Sequence, residues 1–244
     1  MDIKEFFKKY NSAAIAFSGG VDSAFLLYCA KKCGADVTAY YVKSAFQPQF
    51  EFEDAKRIAS ELEIPLKVIE INILDYEEVR RNDPLRCYYC KRRIFPQIKA
   101  QAKSDGYSVI LDGTNASDDS GDRPGMKALN ELKVLSPLRL CGYTKDEIRK
   151  QAKNAGLFVW NKPAYACLAT RIKPNEEITS NALKLVEKAE MFMMNLGFKN
   201  IRVRVSQNEA TIILKDNSQE LLKEKRDIIE KEFSKYFNKV NFKK

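Results

Sequence analysis

Two cysteines three residues apart sit among cations in "RCYYCKRR", residues 86–93. A Cys-x-x-Cys can be half a zinc site, a redox dithiol, two ligands of an iron–sulfur cluster, or a turn. Cys87 and Cys90 therefore need further ligands before they mean anything. A third cysteine, Cys167, stands in "KPAYACLATR". The chain contains no histidine. A three-cysteine zinc site would lack the usual fourth ligand, and His-based acid–base chemistry is excluded. A thioredoxin-like dithiol would sit at a helix N-terminus after the first strand, which is not where this motif falls.

The second chemical stretch is "AFSGGVDSAFLL". Ser18, Gly19, Gly20, Val21, Asp22 and Ser23 lie between an apolar strand and a helical pattern. Glycines there let backbone N–H groups approach a phosphate, and the helix N-terminus favours the anion. No Gly-Lys-Ser/Thr follows, so this is not a Walker A loop. Ser18 and Ser23 can hydrogen-bond phosphate oxygens, and Asp22 can hold Mg²⁺ or orient a cleaved pyrophosphate.

These residues require a frame. "AAIAF", "DVTAYYV", "PLKVIEINI", "YSVILDGTN" and "KVLSPL" read as strands, with helical patterns between them. Thr144 and Glu147 form a capping box for a further helix. The alternation predicts an α/β fold, a doubly wound parallel sheet of about five strands, with ligands at the strands' carboxyl ends. Near Pro174 the pattern changes to a long helix, two alternating strands, a helix and a last strand. The expected division is a domain over 1–174 and a small α+β domain over 175–244.

Composition narrows the class. A 45% apolar chain of 244 residues can bury a sizeable core without disulfides. The six cysteines are then metal-binding, reactive or buried; Cys29, Cys33 and Cys141 read as core. The start, "MDIKEFFKKYNS", is charged from its second residue and is not a signal peptide, which leads us to expect a cytoplasmic protein. No membrane partner is expected. The net charge is +9, but the cations are interspersed with Glu, as in "NSQELLKEKRDIIEKEF". That pattern reads as a solvated surface, not as a nucleic-acid footprint.

With its serines, glycines and aspartate in strand–loop–helix context, the chain resembles the PP-loop ATP pyrophosphatases. The resemblance implies ATP cleavage between the α- and β-phosphates, with Mg²⁺, and transfer of AMP to a carboxyl or carbonyl oxygen. "LDGTNASD" (111–118) resembles the second nucleotide loop of that family, with Gly113 and Thr114 at the nucleotide and Asn115 and Asp118 nearby.

"RCYYCKRRIF", "GDRPGMKALNELKVLSPL", "GYTKDEIRKQAKNAGL" and "WNKPAYACLATRI" resemble, more narrowly, the LarE family of sulfur-inserting enzymes of nickel-pincer cofactor synthesis. What this implies is a small nucleotide substrate, pyridinium-3,5-biscarboxylic acid mononucleotide, whose carboxylates become thiocarboxylates. It also implies one of two sulfur routes. In the first, Cys87, Cys90 and Cys167 hold a [4Fe-4S] cluster whose open iron takes sulfide or sulfur from another donor. In the second, Cys167 is consumed and becomes dehydroalanine. Arg123 would face an anion. Arg171 would meet a phosphate or close an ion pair. Arg202 or Arg204, on one strand face at period two, would contact a phosphate. Further copies of the chain are expected partners. The rival readings are a tRNA-thiolating PP-loop enzyme and a nucleotide sensor without catalysis.

Overall fold

A computed structural model describes residues 1–118, 124–214 and 218–243. Helix α1 (Ile3–Lys9) leads into strand β1 (Ser12–Ala16), followed by α2 (Val21–Lys32), β2 (Asp36–Lys43), α3 (Gln49–Glu61) and β3 (Leu66–Glu70). Residues 73–86 carry the short helix α4 (Glu77–Arg80). Then come α5 (Arg86–Ser104), β4 (Ile110–Leu111), α6 (Pro124–Glu131), α7 (Pro137–Leu140) and α8 (Lys145–Asn154). The chain ends with α9 (Ser180–Asn195), β5 (Ile201–Ser206), β6 (Glu209–Leu214), α10 (Gln219–Phe233) and β7 (Lys239–Lys243).

Two compact units divide these elements. The first comprises 1–72 and 87–164, the second 73–86 and 165–244. The boundary expected near Pro174 thus falls after Ala164 by packing, and an early segment joins the later unit.

The first unit is built on a parallel sheet of order β3-β2-β1-β4. Ile15 of β1 sits opposite Ala39 on one side and Leu111 on the other. Alternate residues serve opposite faces, as the period of two requires. Ile15, Ala39 and Tyr41 pack with Phe25 and Leu26 of α2 and Ile148 of α8. Ala14, Tyr40 and Val42 pack with Phe95 and Ile98 of α5 and Leu129 of α6. Both faces are covered, which is the doubly wound arrangement.

Among the described residues this sheet has four strands and not the expected five or so. "KVLSPL" contributes a single bridge, Leu135 to Leu111. Pro137 is the reason: it stands at the start of α7. Its fixed φ suits a first helical turn, and it has no N–H to extend a ladder. The capping box at Thr144 and Glu147 is present in both directions.

In the second unit β5 pairs antiparallel with β6, and β6 parallel with β7. Ile201, Val203 and Val205 point into that unit's core, leaving Arg202, Arg204 and Ser206 on the other face. Among the described residues, no helix is long and apolar enough to cross a membrane.

Candidate active site

Strand β1 delivers the chain into a turn that only glycine fits. Gly19 has φ +79°, and a Cβ there would lie 2.9 Å from the Glu51 carbonyl oxygen. Gly20 is the N-cap of α2 and supplies no side-chain acceptor. The first N–H groups of that helix are therefore left for an anion. The two serines brace the turn: their Oγ atoms are 3.2 Å apart, and Ser23 Oγ donates to the Gly20 carbonyl at 3.1 Å.

The loop after β4 closes on the same helix start. A Cβ on Gly113 would lie 2.8 Å from Ser23 N and 3.0 Å from Ser23 Cα. Asp112 organises that loop, accepting from Thr114 Oγ1 and Ser136 Oγ, each at 2.6 Å. Asn115 is buried, and its Oδ1 accepts from Ser117 N–H at 2.8 Å. Ser117 Oγ in turn accepts from Lys145 N–H at 2.9 Å, which seats the start of α8 against this loop.

Lys145 Nζ then reaches Asp22 Oδ2 at 2.5 Å. The other oxygen, Asp22 Oδ1, is buried without a hydrogen-bond partner among the described residues. A buried carboxylate oxygen left open beside an anion cradle suits a divalent cation. A cavity of about 330 Å³ is lined here by Ser18, Asp22, Ser23, Lys91, Gly113 and Thr114, among others. That size falls in the range of small-ligand pockets.

Lys91 is a residue that the sequence reading passed over. Burial lowers the pKa of its ammonium, against the pull of Asp112, Cys87, Cys90 and Asp118. Its cue was weak: it is one cation among several after the CxxC.

Helix α5 begins at Arg86, so Cys87 and Cys90 lie in its first turn, on one face. Of the two tyrosines between them, Tyr88 points elsewhere: its O–H donates to Glu131 of α6 at 2.8 Å. Cys167 belongs to the second unit, half-buried just before a 3-10 turn, Leu168–Arg171. Within neither unit do three Cys, Asp or Glu side chains gather to hold a metal, among the described residues. All six cysteines are thiols. Burial, then Cys33 and Cys141, push the Cys29 thiol up to about 12, as suits a core residue.

The expected anion contacts separate. Arg123 lies outside the described residues. Arg171 takes the ion-pair alternative: it is 1% exposed and pairs with Glu190, Nε to Oε1 at 2.8 Å. Burial opposes its charge, but the Glu190 bond and charge prevail and raise its pKa. Arg202 lies over the Tyr165 ring, 5.3 Å from the centroid, and donates to the Ile201 carbonyl. Arg204 lines a cavity of about 520 Å³ together with Arg86, Lys173 and Lys243.

A glycine–serine turn at the end of the first parallel strand, with a second glycine loop against the same helix, is the architecture of a PP-loop enzyme. Residues 12–80 match the family described as Queuosine biosynthesis protein QueC. The chain is 34% identical over 214 residues to the uncharacterized protein slr1717 of Synechocystis, covering 87% of this chain and 80% of that one. It is 31% identical over 209 residues to the pyridinium-3,5-bisthiocarboxylic acid mononucleotide synthase of Lactiplantibacillus plantarum, covering 85% and 76%. A tRNA-specific 2-thiouridylase of Clostridium botulinum is 33% identical over 183 residues, covering 62% of this chain and 52% of that enzyme. The chain belongs to the family of the bisthiocarboxylic acid mononucleotide synthase, the LarE family, and is an ATP-dependent sulfurtransferase.

Proposed function

We propose that the enzyme adenylates the two carboxylates of pyridinium-3,5-biscarboxylic acid mononucleotide and converts them to thiocarboxylates, a step of nickel-pincer cofactor synthesis. The observation that carries this reading is the relation to the synthase over 85% of the chain, against 62% for the thiouridylase.

ATP lies with its phosphates at the start of α2, between the Gly19–Gly20 turn and Gly113. A substrate carboxylate oxygen attacks the α-phosphorus, and the α–β bridging bond breaks. Pyrophosphate leaves beside Lys145, while Lys91 faces the charge developing on the α-phosphoryl oxygens. Mg²⁺ bound at Asp22 Oδ1 would neutralise the leaving pyrophosphate. Adenylation matters because a carboxylate resists nucleophiles, whereas AMP departs readily.

A hydrosulfide then attacks the acyl carbon, AMP leaves with the former carboxylate oxygen, and a thiocarboxylate remains. Cys87, Cys90 and Cys167 are the three thiolates that would hold a [4Fe-4S] cluster, whose open iron would supply that sulfide. The donor set suits it: three thiols and no histidine.

A second reading has Cys167 act alone. Its thiolate displaces AMP to give a thioester. Loss of the Cα proton then breaks the Cβ–Sγ bond, leaving thiocarboxylate on the substrate and dehydroalanine at 167. In both readings the second unit holds the mononucleotide phosphate in the cavity lined by Arg86, Lys173, Arg204 and Lys243, with Arg202 nearby on the same strand.

ATP–pyrophosphate exchange tests the assignment. The pyridinium dicarboxylate should stimulate it and tRNA should not. Exchange driven by tRNA, steeply salt-dependent and indifferent to the dicarboxylate, would transfer the assignment to tRNA thiolation.

A further inference from the structure

Glu190, on α9, is 0% exposed, and four hydrogen bonds converge on its carboxylate. Oε1 accepts from Arg171 Nε and from the Val203 backbone N–H, both at 2.8 Å. Oε2 accepts from Arg171 Nη2 at 3.1 Å and from the Tyr165 hydroxyl. One side chain thus gathers the segment that carries Cys167 and the strand that carries Arg202 and Arg204.

The far side of Arg171 shows what this serves. Its Nη1 donates to the Ala166 carbonyl at 2.7 Å, to the Cys167 carbonyl at 3.3 Å and to Thr170 Oγ1 at 2.8 Å. Those two carbonyls belong to the peptide planes immediately before and after Cys167. The second is also bound by Thr170 Oγ1 and Thr170 N–H, at 2.9 and 3.0 Å. With both planes held, φ and ψ of Cys167 are set, at −53° and 149°, and so is the direction of its Cα–Cβ bond. The Tyr165 ring completes the packing, lying 4.4 Å from the Arg171 guanidinium.

A pair of buried charges is a poor device for stability alone. Desolvation offsets most of the attraction, and an apolar pair of the same volume often serves as well. A guanidinium anchored on a carboxylate does what apolar groups cannot: it holds carbonyl oxygens at fixed points.

We propose that Glu190, acting through Arg171, is the positioning residue for Cys167. It aims the thiol by clamping the peptides on either side. Through Val203 it keeps the arginine strand in the same frame. The inference rests on the reading above only in taking Cys167 as the group that handles sulfur, by either route.

Glu190→Ala would strand a buried guanidinium and is not diagnostic. Two other variants are. Arg171→Lys keeps a cation beside Glu190 but cannot reach both carbonyls. Arg171→Leu/Glu190→Leu replaces the pair with apolar groups that can fold. Three readouts are taken on each: ATP–pyrophosphate exchange, thiocarboxylate formation with kcat and KM separated, and the alkylation rate of Cys167 by iodoacetamide. The expected result is exchange within threefold of wild type, kcat for thiocarboxylate formation down at least 30-fold with KM little changed, and Cys167 alkylated severalfold faster. A double variant that folds and forms thiocarboxylate at the wild-type rate, with unaltered Cys167 alkylation, would overturn the proposal. Alkylation needs no substrate. A wild-type enzyme that fails to thiolate the dicarboxylate would therefore count against the proposed substrate, and alkylation would still decide the role of Glu190.

Discussion

Lys145 Nζ and Asp22 Oδ2 stand 2.5 Å apart, joining residues 123 positions distant in the chain. The cation arrives on the first residue of α8, directly after the Thr144 cap. The pair is 30% and 25% exposed, so it contributes under about 1 kcal/mol to stability. In the proposed adenylation its place beside the Gly19–Gly20 turn would let it neutralise phosphate charge. Lys145→Met should therefore melt near the wild-type temperature yet slow pyrophosphate release about 10–100-fold. Asp22→Ala should abolish release while leaving the protein folded. Normal pyrophosphate release by purified Asp22→Ala would remove adenylation from consideration.

The contact between Gly113 and Ser23 is backbone against backbone. An added Cβ at 2.8 Å from Ser23 N cannot be relieved by a side-chain rotation. Gly113→Ala should cost about 1–3 kcal/mol in urea unfolding and remove ATP-dependent pyrophosphate release. A variant that kept full stability and full release would show that the two loops are not pressed together in the working enzyme.

The three cysteines distinguish the sulfur routes. If they hold one cluster, Cys87→Ala, Cys90→Ala and Cys167→Ala should each lose most of the iron and the sulfur transfer, while adenylation survives in all three. If Cys167 is sacrificial, only its variant should be inactive in a single turnover. Mass spectrometry after turnover decides independently: Cys167 stays intact in a cluster enzyme and becomes dehydroalanine in a sacrificial one.

Cys29 provides a pH test. Its thiol, pushed up from 9.0 to about 12, stays protonated across the ordinary range. Alkylation requires the thiolate, so in folded protein at pH 8 Cys29 should be untouched by iodoacetamide, and labelled once urea unfolds the chain. The unfolded thiol ionises first as pH rises. The stability this residue contributes is therefore complete below pH 9 and is lost as pH climbs from 9 towards 12. Labelling of Cys29 at equal rates in folded and unfolded protein would contradict its core placement.

The parts of the site that a short stretch encodes were legible in the sequence. Gly19, Gly20 and the flanking serines declare a tight strand-to-helix turn because backbone reach and helix capping are local properties. The capping box at Thr144 was equally plain. "KVLSPL" looked like a strand because its apolar residues fit one, and Pro137 redirected it into a helix. Distant pairings were not legible. Glu190 sits in a helix among other charged residues, and nothing in its spacing announces Arg171, 19 residues away. Lys145 reads as an ordinary first-turn lysine until the fold sets it beside Asp22. Lys91 was hidden by the cations around it, and its burial becomes visible only once α5 packs over the sheet.

Residues 73–86 belong to the second unit although they precede the rest of it. Asn82 Nδ2 donates to the Lys173 carbonyl at 2.8 Å, and the N–H groups of Asn175 and Ile178 donate to the carbonyls of Asn82 and Arg80. Such a unit is not a cassette. A single genetic crossover downstream of Ala164 would import one part of it and leave the other behind, with Asn82 facing a foreign partner. Recombination that altered this unit would need two matched exchanges on either side of the CxxC helix. The two units are therefore bound to be inherited together.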